Sequence, residues 1–282
     1  MAKILVTGSG GYIGRHVVKA LIDAGHNVVA ASSSNNGVDD RATKINCSIF
    51  ELGENAYKHL KEPEICLHMA WRDGFLHSSE AHVEDLSAHF VFLKNMINSG
   101  VKKIAVMGTM HEIGYWEGPI DESTPCNPAS LYGIAKNSLR QALIQLAHQK
   151  DFDLYWLRAF YIVGDDLHNH SLFSKILKMD KEGVKTFPFT TGKNLYDFIS
   201  VKELASQIAM SITQNEITGI INVCSGKPVS LSDKVNEFIK EHNLTIRPQY
   251  GAFPDRPYDS PGIWGDATKI NKIIQKYKET LK

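Results

Sequence analysis

The sequence lacks net charge, long apolar runs and paired cysteines. Its 282 residues include 31 basic and 31 acidic side chains, so the formal charge is zero. No overall field therefore attracts nucleic acid or an anionic membrane surface, and an anionic ligand must be held by local groups. No stretch approaches the ~20 apolar residues that cross a bilayer, and no apolar signal segment precedes the first glycines. We expect a soluble cytoplasmic protein with no nucleic-acid or membrane partner.

Cysteine is scarce and scattered. The four cysteines are Cys47, Cys66, Cys126 and Cys224. They form no Cys-x-x-Cys pair and no cysteine–histidine spacing of the kind that builds a zinc site, so we expect four reduced thiols. His168 and His170 have the spacing of a metal pair. Because no carboxylate or cysteine pattern supports these two histidines, we expect no metal site.

The first half of the chain alternates short apolar runs with amphipathic helical stretches. This pattern is typical of strand–helix–strand units that build a parallel sheet, whose strands are apolar throughout because helices cover both faces. The predicted strands are Ile4–Thr7, Asn27–Ala31, Ile65–Ala70, Lys103–Gly108 and Leu154–Ala159. The predicted helices are Tyr12–Ala24, Leu86–Ile97 and Leu131–His148, the last with Ser130 as its N-cap.

The pattern loosens after Gly164 and then becomes regular again. Asp197–Val201 and Gly219–Val223 predict strands, and Ser230–Lys240 predicts a helix. The stretch 248–264 is rich in proline, glycine and aromatic residues, which is typical of an irregular lobe that closes over a ligand.

A glycine-rich turn directly follows the first predicted strand and opens the first predicted helix. Gly8 permits a tight turn, Gly11 lets the backbone approach a pyrophosphate, and Gly14 lets the helix pack closely on the strand. The helix N-terminus offers oriented amides to the same anion. We therefore predict dinucleotide contacts from Gly8, Gly10, Gly11, Tyr12, Ile13 and Gly14.

This turn and the strand pattern together predict an α/β fold. We expect a Rossmann-type, doubly wound parallel sheet over residues 1–163, with a return segment at 196–225. Residues 164–195 and 226–282 are expected to form a smaller C-terminal substrate lobe.

The end of the second predicted strand bears on the choice between NAD and NADP. An acidic residue there would bind the ribose 2′-hydroxyl and repel a 2′-phosphate. The chain has hydroxyls instead, from Ser32, Ser33 and Ser34. They suit a phosphate, and Arg15 or Arg41 could supply a charge-assisted contact, which favours NADP. Asp39 and Asp40 lie nearby and keep NAD as the alternative.

A phenol and an ammonium stand four residues apart on the third predicted helix, at Tyr132 and Lys136. This spacing places both on one face. A nearby ammonium favours the phenolate, which would bring the phenol towards the pH range where acid–base exchange is effective.

Taken in chain order, the glycine turn, a strand ending in Thr109 and the Tyr-x-x-x-Lys helix resemble the extended short-chain dehydrogenase/reductase family. Thr109 precedes Gly114 by five residues, as a Ser or Thr does in the sugar-nucleotide members. Three later segments are similar too: 157–164, then 196–201, which is similar to Arg-Asp-Phe-Ile-His-Val, and 221–226, which is similar to Tyr-Asn-Val-Gly-Ser-Gly.

The resemblance implies a role for each member of this triad. Tyr132 would give or take the proton, Lys136 would bind the nicotinamide ribose and lower the pKa of the tyrosine, and Thr109 would hydrogen-bond the reacting oxygen. The segment 68–71 looks like the family's third cofactor contact, which adds Met69, Ala70 and Trp71, with Trp71 also facing the substrate. A homodimer through helices 86–97 and 131–148 is implied as well.

Two positions depart from the family's pattern. Ser48 lies where the family often has an Asp that reads adenine, and Tyr196 replaces an Arg. The adenine and substrate-phosphate contacts therefore cannot be copied.

The residues after the threonine bear on the reaction. Relatives that dehydrate sugars have Asp-Glu at this place, whereas this chain has Met110 and His111, which disfavours a dehydratase. The run 108–115 resembles bacterial reductases of nucleotide-linked 4-keto-6-deoxyhexoses. We therefore predict NADPH-dependent reduction of the C4 ketone of a nucleotide-sugar substrate. An NAD-dependent sugar-nucleotide 4-epimerase and a non-catalytic NADP-binding sensor are the alternatives.

Two further side chains are candidates for the substrate. His111 could contact the sugar or act as a second acid, or it could simply be packed in its loop. Arg256 could bind the substrate diphosphate among aromatic neighbours, or it could form a surface ion pair.

Overall fold

A computed structural model of the protein describes residues 1–164, 171–255 and 259–280. Its strands are β1 Lys3–Thr7, β2 Asn27–Ser32, β3 Thr43–Asn46, β4 Ile65–His68, β5 Lys103–Thr109, β6 Gly118–Ile120, β7 Asp153–Ala159, β8 Tyr161–Val163, β9 Thr186–Pro188, β10 Leu195–Ser200, β11 Gly219–Val223, β12 Pro228–Ser230, β13 Arg247–Gln249 and β14 Gly262–Gly265. Its helices are α1 Tyr12–Asp23, α2 Ala56–His59, α3 Ala81–Glu84, α4 Leu86–Asn98, α5 Leu131–Ala147, α6 Leu172–Lys181, α7 Val201–Thr213, α8 Leu231–Glu241 and α9 Thr268–Thr280.

The main sheet has seven strands in the order β11-β7-β5-β4-β1-β2-β3. Every neighbouring pair in it is parallel. All five predicted apolar strands lie in this sheet, so the predicted α/β, Rossmann-type parallel fold is confirmed. The short edge strand β3 was not predicted, because its residues are mostly exposed and have no apolar run.

Helices cover both faces of the main sheet, and alternate strand residues point to opposite faces. On one face, Ile4 and Val6 share a core cluster with α1, α7 and α9. On the other, Leu5 shares a cluster with α4 and α5. This double cover explains why the strands are continuously apolar.

A second sheet joins β12, β10, β14 and β6, with β8 paired to β10. A third hydrophobic cluster lies under α6 and α8 and includes Phe173, Phe187 and Phe238. Strand β10, which begins the predicted return segment, lies in this second sheet, whereas α7 and β11 pack with the main one. Helix α9 also returns to the main sheet, through Ile270 and Ile273.

The buried carboxylate of Asp197 on β10 joins the two sheets. It accepts hydrogen bonds from Ser225 N at 2.8 Å and Gly226 N at 2.9 Å, just beyond β11, and from Gly265 N at 3.1 Å in β14. Ser225 Oγ also donates to it at 2.6 Å. Within the described part of the chain, no helix is both long enough and apolar enough to span a membrane.

Candidate active site

The glycine turn after β1 is packed too tightly for side chains at three positions. A Cβ at Gly8, where φ is +68°, would lie 2.7 Å from Ala70 Cα. A Cβ at Gly10 would lie 1.8 Å from Ser34 O, and one at Gly14 would lie 2.3 Å from Gly8 O. The turn is therefore held against β2 and against the residues that follow β4, as dinucleotide binding requires.

The N-terminus of α1 is suited to an anion. Its N-cap is Gly11, no side chain caps it, and its first turn contains no acidic residue. The amides of this first turn point out of the end of the helix, and no carboxylate within the turn competes for an anion bound there. The dinucleotide contacts expected of these residues stay a prediction, and the local geometry is compatible with it.

The loop after β2 is ordered by a residue that the sequence analysis missed. Asn35 is buried, and its Oδ1 accepts a hydrogen bond from Ser9 Oγ at 2.6 Å. Its Nδ2 donates to Ile45 O at 3.1 Å and to Asn46 Oδ1 at 2.9 Å. Beside it lie the half-buried Ser32 and the exposed Ser33 and Ser34. The only signal in the sequence was an asparagine at the end of a serine run.

Arg41, a predicted phosphate contact, is engaged by two carboxylates. Its Nη2 lies 2.7 Å from Asp23 Oδ1 and 2.7 Å from Asp39 Oδ2. Hydrogen bonds from Arg41 hold the pKa of Asp39 well below its usual range. The guanidinium therefore already has counter-charges, and Arg15, the other candidate, lies against Gly37.

A buried hydrogen-bond chain links β1 to β4 and α4. Thr7 Oγ1 accepts from Met69 N at 3.1 Å and from Ala70 N at 3.2 Å, so its own proton is directed to His68 Nδ1 at 2.9 Å. Neutral His68 then carries its proton on Nε2 and donates it to His89 Nδ1 at 2.8 Å. Burial lowers the pKa of both histidines, that of His89 to about 3, so both imidazoles in this hydrogen-bond chain are uncharged at neutral pH.

Trp71 extends this chain towards the predicted catalytic residues. Its ring stacks on that of His89, with centroids 4.2 Å apart and planes 9° apart. Its Nε1 donates to His82 Nδ1 at 2.9 Å, and His82 Nε2 then donates to Leu76 O at 3.0 Å. The predicted contact segment Met69–Trp71 thus lies directly beside the glycine turn.

Helix α5 brings Tyr132 and Lys136 to the end of β5. Ser130 caps the helix as predicted, with its Oγ accepting from Gly133 N at 3.2 Å. A Cβ at Gly133 would lie 2.3 Å from His111 O, so glycine is what lets the first turn of the helix approach the residues after Thr109. The Thr109 side chain hydrogen-bonds that of Tyr132. The structure therefore brings the predicted triad together.

Lys136 is almost fully buried. Its Nζ donates to Met107 O at 2.8 Å and lies 3.8 Å from the centroid of the Trp71 ring. Burial lowers the pKa of Lys136 to about 7. The carbonyl and the ring face partly replace the water that this ammonium has lost.

The expectation that Lys136 lowers the pKa of Tyr132 does not hold in this arrangement. Burial raises the pKa of Tyr132, and the hydrogen bond with Thr109 opposes this only in part. The lysine does not lower this pKa because its ammonium is turned to Met107 O and Trp71, 5.9 Å from the centroid of the phenol ring. The phenol is therefore protonated at neutral pH.

Two histidines surround the phenol. His77, which the sequence analysis missed, stacks on Tyr132 with centroids 5.0 Å and planes 14° apart, and its carbonyl accepts from Tyr132 N at 3.1 Å. His111 lies edge-on, 4.3 Å from His77. Burial lowers the pKa of His111 to about 3, so it is a neutral imidazole beside the site. No sequence signal marked His77, which lies in an irregular loop.

The remaining predicted residues are placed as follows. Arg256, His168 and His170 lie outside the described residues. Ser48 is half-buried, and Tyr196 is buried against Tyr161, with ring centroids 4.4 Å apart. The four cysteines are all free thiols. Across residues 1–164, 171–255 and 259–280, no group of three His, Cys, Asp or Glu side chains could hold a metal ion.

Among doubly wound α/β proteins, a glycine turn combined with Thr109, Tyr132 and Lys136 separates the extended short-chain dehydrogenase/reductases, which are NAD(P)-dependent enzymes, from other dinucleotide-binding folds. The chain belongs to the NAD dependent epimerase/dehydratase family, whose model matches residues 4–224.

Two relatives show the range of the family. A dTDP-6-deoxy-L-talose 4-dehydrogenase (NAD(+)) from Aggregatibacter actinomycetemcomitans is 47% identical over 267 residues, which cover 93% of this chain and 98% of that protein. A UDP-glucose 4-epimerase from Erwinia amylovora is 25% identical over 311 residues, covering 96% and 91%.

Solved structures of the family share the fold. A UDP-N-acetylglucosamine 4-epimerase from Methanobrevibacter ruminantium has a TM-score of 0.83 at 23% identity and covers 99% of this chain and 96% of its own. A UDP-glucose-4-epimerase from Stenotrophomonas maltophila has a TM-score of 0.84 at 19% identity, covering 98% and 93%. At these identities the likeness concerns the fold alone.

Proposed function

We propose that the protein interconverts the C4 alcohol and the C4 ketone of a nucleotide-linked 6-deoxyhexose, and that in the cell it reduces the 4-keto sugar. The observation that carries this proposal is the arrangement of Thr109, Tyr132 and Lys136 beside the glycine turn, in a chain 47% identical to a dTDP-6-deoxy-L-talose 4-dehydrogenase. That relative's printed activity supports a dTDP-linked substrate.

The state of the phenol supports the direction of reduction. When bound, the nicotinamide supplies or accepts the hydride. A tyrosine hydroxyl with its ordinary pKa of about 10 already holds a proton at neutral pH, and burial does not lower the pKa of Tyr132, so the hydroxyl carries the proton that the oxygen forming on C4 needs. In this proposal Thr109 hydrogen-bonds the same oxygen and Lys136 binds the nicotinamide ribose, as the family resemblance implies.

Loss of water from the sugar is not supported. That reaction needs an additional acid and base beside the substrate, and the two residues after Thr109 are the buried Met110 and the neutral His111. The next residue is acidic, but its carboxylate is turned into the core and bound to Thr109 N at 2.7 Å.

For the cofactor we propose NAD, with NADP, which the serine run favoured, as the alternative. The carboxylates of Asp23 and Asp39 already bind Arg41, and they would repel a 2′-phosphate placed near it. The NAD named for the 47% identical relative supports the same choice.

Two further features are part of the proposal. Residues 164–195 and 226–282 contribute the substrate lobe, apart from α9, which packs on the main sheet. A homodimer would form through α4 and α5, where Val91 and Ile134 are 43% and 41% exposed. Light scattering at several concentrations would measure the mass in solution, and a monomer throughout would contradict this pairing.

The reaction is tested by stoichiometry. The protein is incubated with a dTDP-4-keto-6-deoxyhexose and with NADH or NADPH, and the absorbance of the reduced cofactor is followed together with the sugar product. We expect one cofactor oxidised per C4 hydroxyl formed, with NADH the better donor. Inversion at C4 of a dTDP- or UDP-sugar with no net cofactor use would instead establish the epimerase. Higher kcat/KM with NADPH would overturn the choice of NAD.

A further inference from the structure

A buried cluster of charges lies directly beneath Thr109. Glu112, which is fully buried, ends the 3-10 turn that follows β5. Its Oε2 lies 3.6 Å from Arg158 Nε and 3.7 Å from Arg140 Nε, and these two guanidiniums are themselves 0% and 7% exposed. One carboxylate therefore faces two arginines in the core, next to the proposed catalytic residues.

The same carboxylate holds the backbone of Thr109. Glu112 Oε1 accepts the Thr109 N–H at 2.7 Å and the Trp156 Nε1–H at 2.9 Å. The Thr109 hydroxyl in turn accepts from the backbone of the turn, including His111 N at 3.3 Å, which completes a capping box. Burial raises the pKa of Glu112, whereas the two guanidiniums and the donors from Thr109 and Trp156 lower it. Every polar neighbour of the carboxylate is a donor, so the pocket is built to accept the ionised form.

Close packing leaves the carboxylate little freedom to move. A Cβ at Gly108 would lie 2.2 Å from Trp156 Nε1 and 2.8 Å from Glu112 Oε1. Strand β5 thus has no side chain at the one place where the indole and the carboxylate must approach it. The contact from Glu112 to Thr109 is therefore built into the core.

We propose that Glu112 is a positioning residue of the active site, whose buried carboxylate fixes Thr109 and balances the positive charges of Lys136, Arg140 and Arg158. Lys136 and Arg140 are four residues apart on α5 and so lie on one face of the helix. Tyr132 lies one turn earlier on the same face. Glu112 acts on the substrate only through these neighbours.

The charge of Glu112 determines in which direction the pKa values of its neighbours shift. The Glu112 carboxylate raises the pKa of Lys136 and that of Tyr132, because a negative charge stabilises the protonated form of each. The other titratable groups facing the cluster are Arg158 from β7, Arg140 from α5, the Cys126 thiol 3.3 Å from Arg140 Nη2, and the imidazoles of His77, His82 and His111 around the phenol. Burial lowers the pKa of His77 and His111, which keeps both uncharged at neutral pH.

The test measures Lys136 directly and needs no substrate. Lysine is labelled with ¹³C at Cε, and the Lys136 signal is assigned by its loss in Lys136→Met and titrated by NMR. Glu112→Gln keeps the shape and removes the charge, so we expect the Lys136 midpoint to fall by about one pH unit. Arg140→Gln removes a positive charge and should move the midpoint upwards, and the double variant should return it towards the wild-type value.

Trp156→Phe is the matched control. It removes the indole N–H and keeps the charge of Glu112, so the Lys136 midpoint should stay in place while the packing of Thr109 loosens. Thermal unfolding shows which variants fold, and Arg140→Gln keeps the test decisive if Glu112→Gln does not. Midpoints that fail to move, or that move in one direction for both charge variants, would overturn the proposal.

The kinetic part rests on the proposed function. With the keto-sugar substrate, Glu112→Gln should lower kcat at least tenfold and shift the pH profile towards acid, with KM for NADH little changed. If wild type shows no turnover, the proposed reaction fails while the NMR result still decides the role of Glu112.

Discussion

The ammonium of Lys136 lies 3.8 Å from the centroid of the Trp71 ring. The indole is itself fixed by the His89 ring at 4.2 Å and by the hydrogen bond from its Nε1 to His82. A buried cation is therefore held by an aromatic face whose position is set by two histidines. This links the residues after β4 to helix α5, which carries Tyr132 and Lys136.

Replacing this aromatic face should change the titration of Lys136. Trp71→Leu removes the cation–π contact, worth about 0.5–2 kcal/mol, so the pKa of Lys136 should fall from about 7 by about 0.4 to 1.5 units. Trp71→Phe keeps a ring and should shift it less. The measurement is the NMR titration of the lysine Cε signal. Equal shifts in the two variants would show that the ring face contributes nothing.

Removal of the phenolic hydroxyl should abolish turnover and spare cofactor binding. Tyr132→Phe keeps the ring that stacks on His77 and removes only the donated proton, so kcat should fall by about 10²–10⁴-fold. The dissociation constant of NADH, measured by quenching of protein fluorescence, should stay within about twofold. Wild-type turnover in this variant would show that Tyr132 is not the proton donor, and a parallel loss of NADH affinity would also count against that role.

Removal of the Thr7 hydroxyl should destabilise the fold. Thr7→Val leaves the N–H of Ala70 and the Nδ1 of His68 without their partner, whereas the Met69 N–H keeps its bond to Thr7 O, and we expect a loss of about 2–3 kcal/mol in the free energy of unfolding. Thr7→Ser keeps the hydroxyl and is the control, expected to lose less than half as much. Urea unfolding measures both. If the two variants were equally destabilised, the hydroxyl would not be the group that matters.

The neutral histidine chain should make stability depend on pH. Burial lowers the pKa of His89 to about 3 in the folded protein, whereas in the unfolded chain it lies near 6.5. Between these values the unfolded chain binds a proton that the folded protein does not. The free energy of unfolding therefore decreases as the pH is lowered from about 6.5 to about 3, by up to about 1.4 kcal/mol per pH unit.

The variant His89→Asn should flatten that slope while keeping an acceptor for His68. Urea unfolding at several pH values between about 4 and 7 measures it. The control is His59→Asn, because His59 is exposed on α2 and is solvated in both states. If the slope is unchanged in His89→Asn, the burial of this imidazole is not the cause of the loss of stability at low pH.

A substitution of Arg41 distinguishes NAD from NADP as the preferred cofactor. Since its guanidinium is bound by Asp23 and Asp39, Arg41→Ala should leave NADH affinity within about twofold and change NADPH affinity as little. Titration of both cofactors against wild type and variant measures this. A loss of NADPH affinity of tenfold or more, with NADH unchanged, would place Arg41 at the 2′-phosphate and restore the NADP prediction.

Much of the fold followed from the sequence. The five apolar strands, the helix capped by Ser130 and the glycine turn are set by local patterns, and the structure has them within one or two residues. Strand β10 was predicted as Asp197–Val201, but strand β3 and the assembly of the second sheet were not, since that sheet depends on pairing between distant segments such as β10 with β14.

The site residues could be predicted from the sequence where they belong to a motif with a fixed spacing. Thr109, Tyr132 and Lys136 came from a motif, and the structure brings them together. His77, Asn35 and Glu112 did not, because each acts through a contact that depends on the tertiary fold. The pKa of Tyr132 was misjudged for the same reason, since spacing on a helix does not show that Lys136 turns towards Trp71.

The Asp197 carboxylate has a mechanical consequence. Three hydrogen bonds from Ser225 and Gly226, at the end of β11, and one from Gly265 in β14 converge on this one group. A hinge opening at that seam would have to break several of these bonds together rather than one after another. These hydrogen bonds hold the two sheets together at Asp197. Any movement that admits the substrate must therefore occur in segments further from this residue.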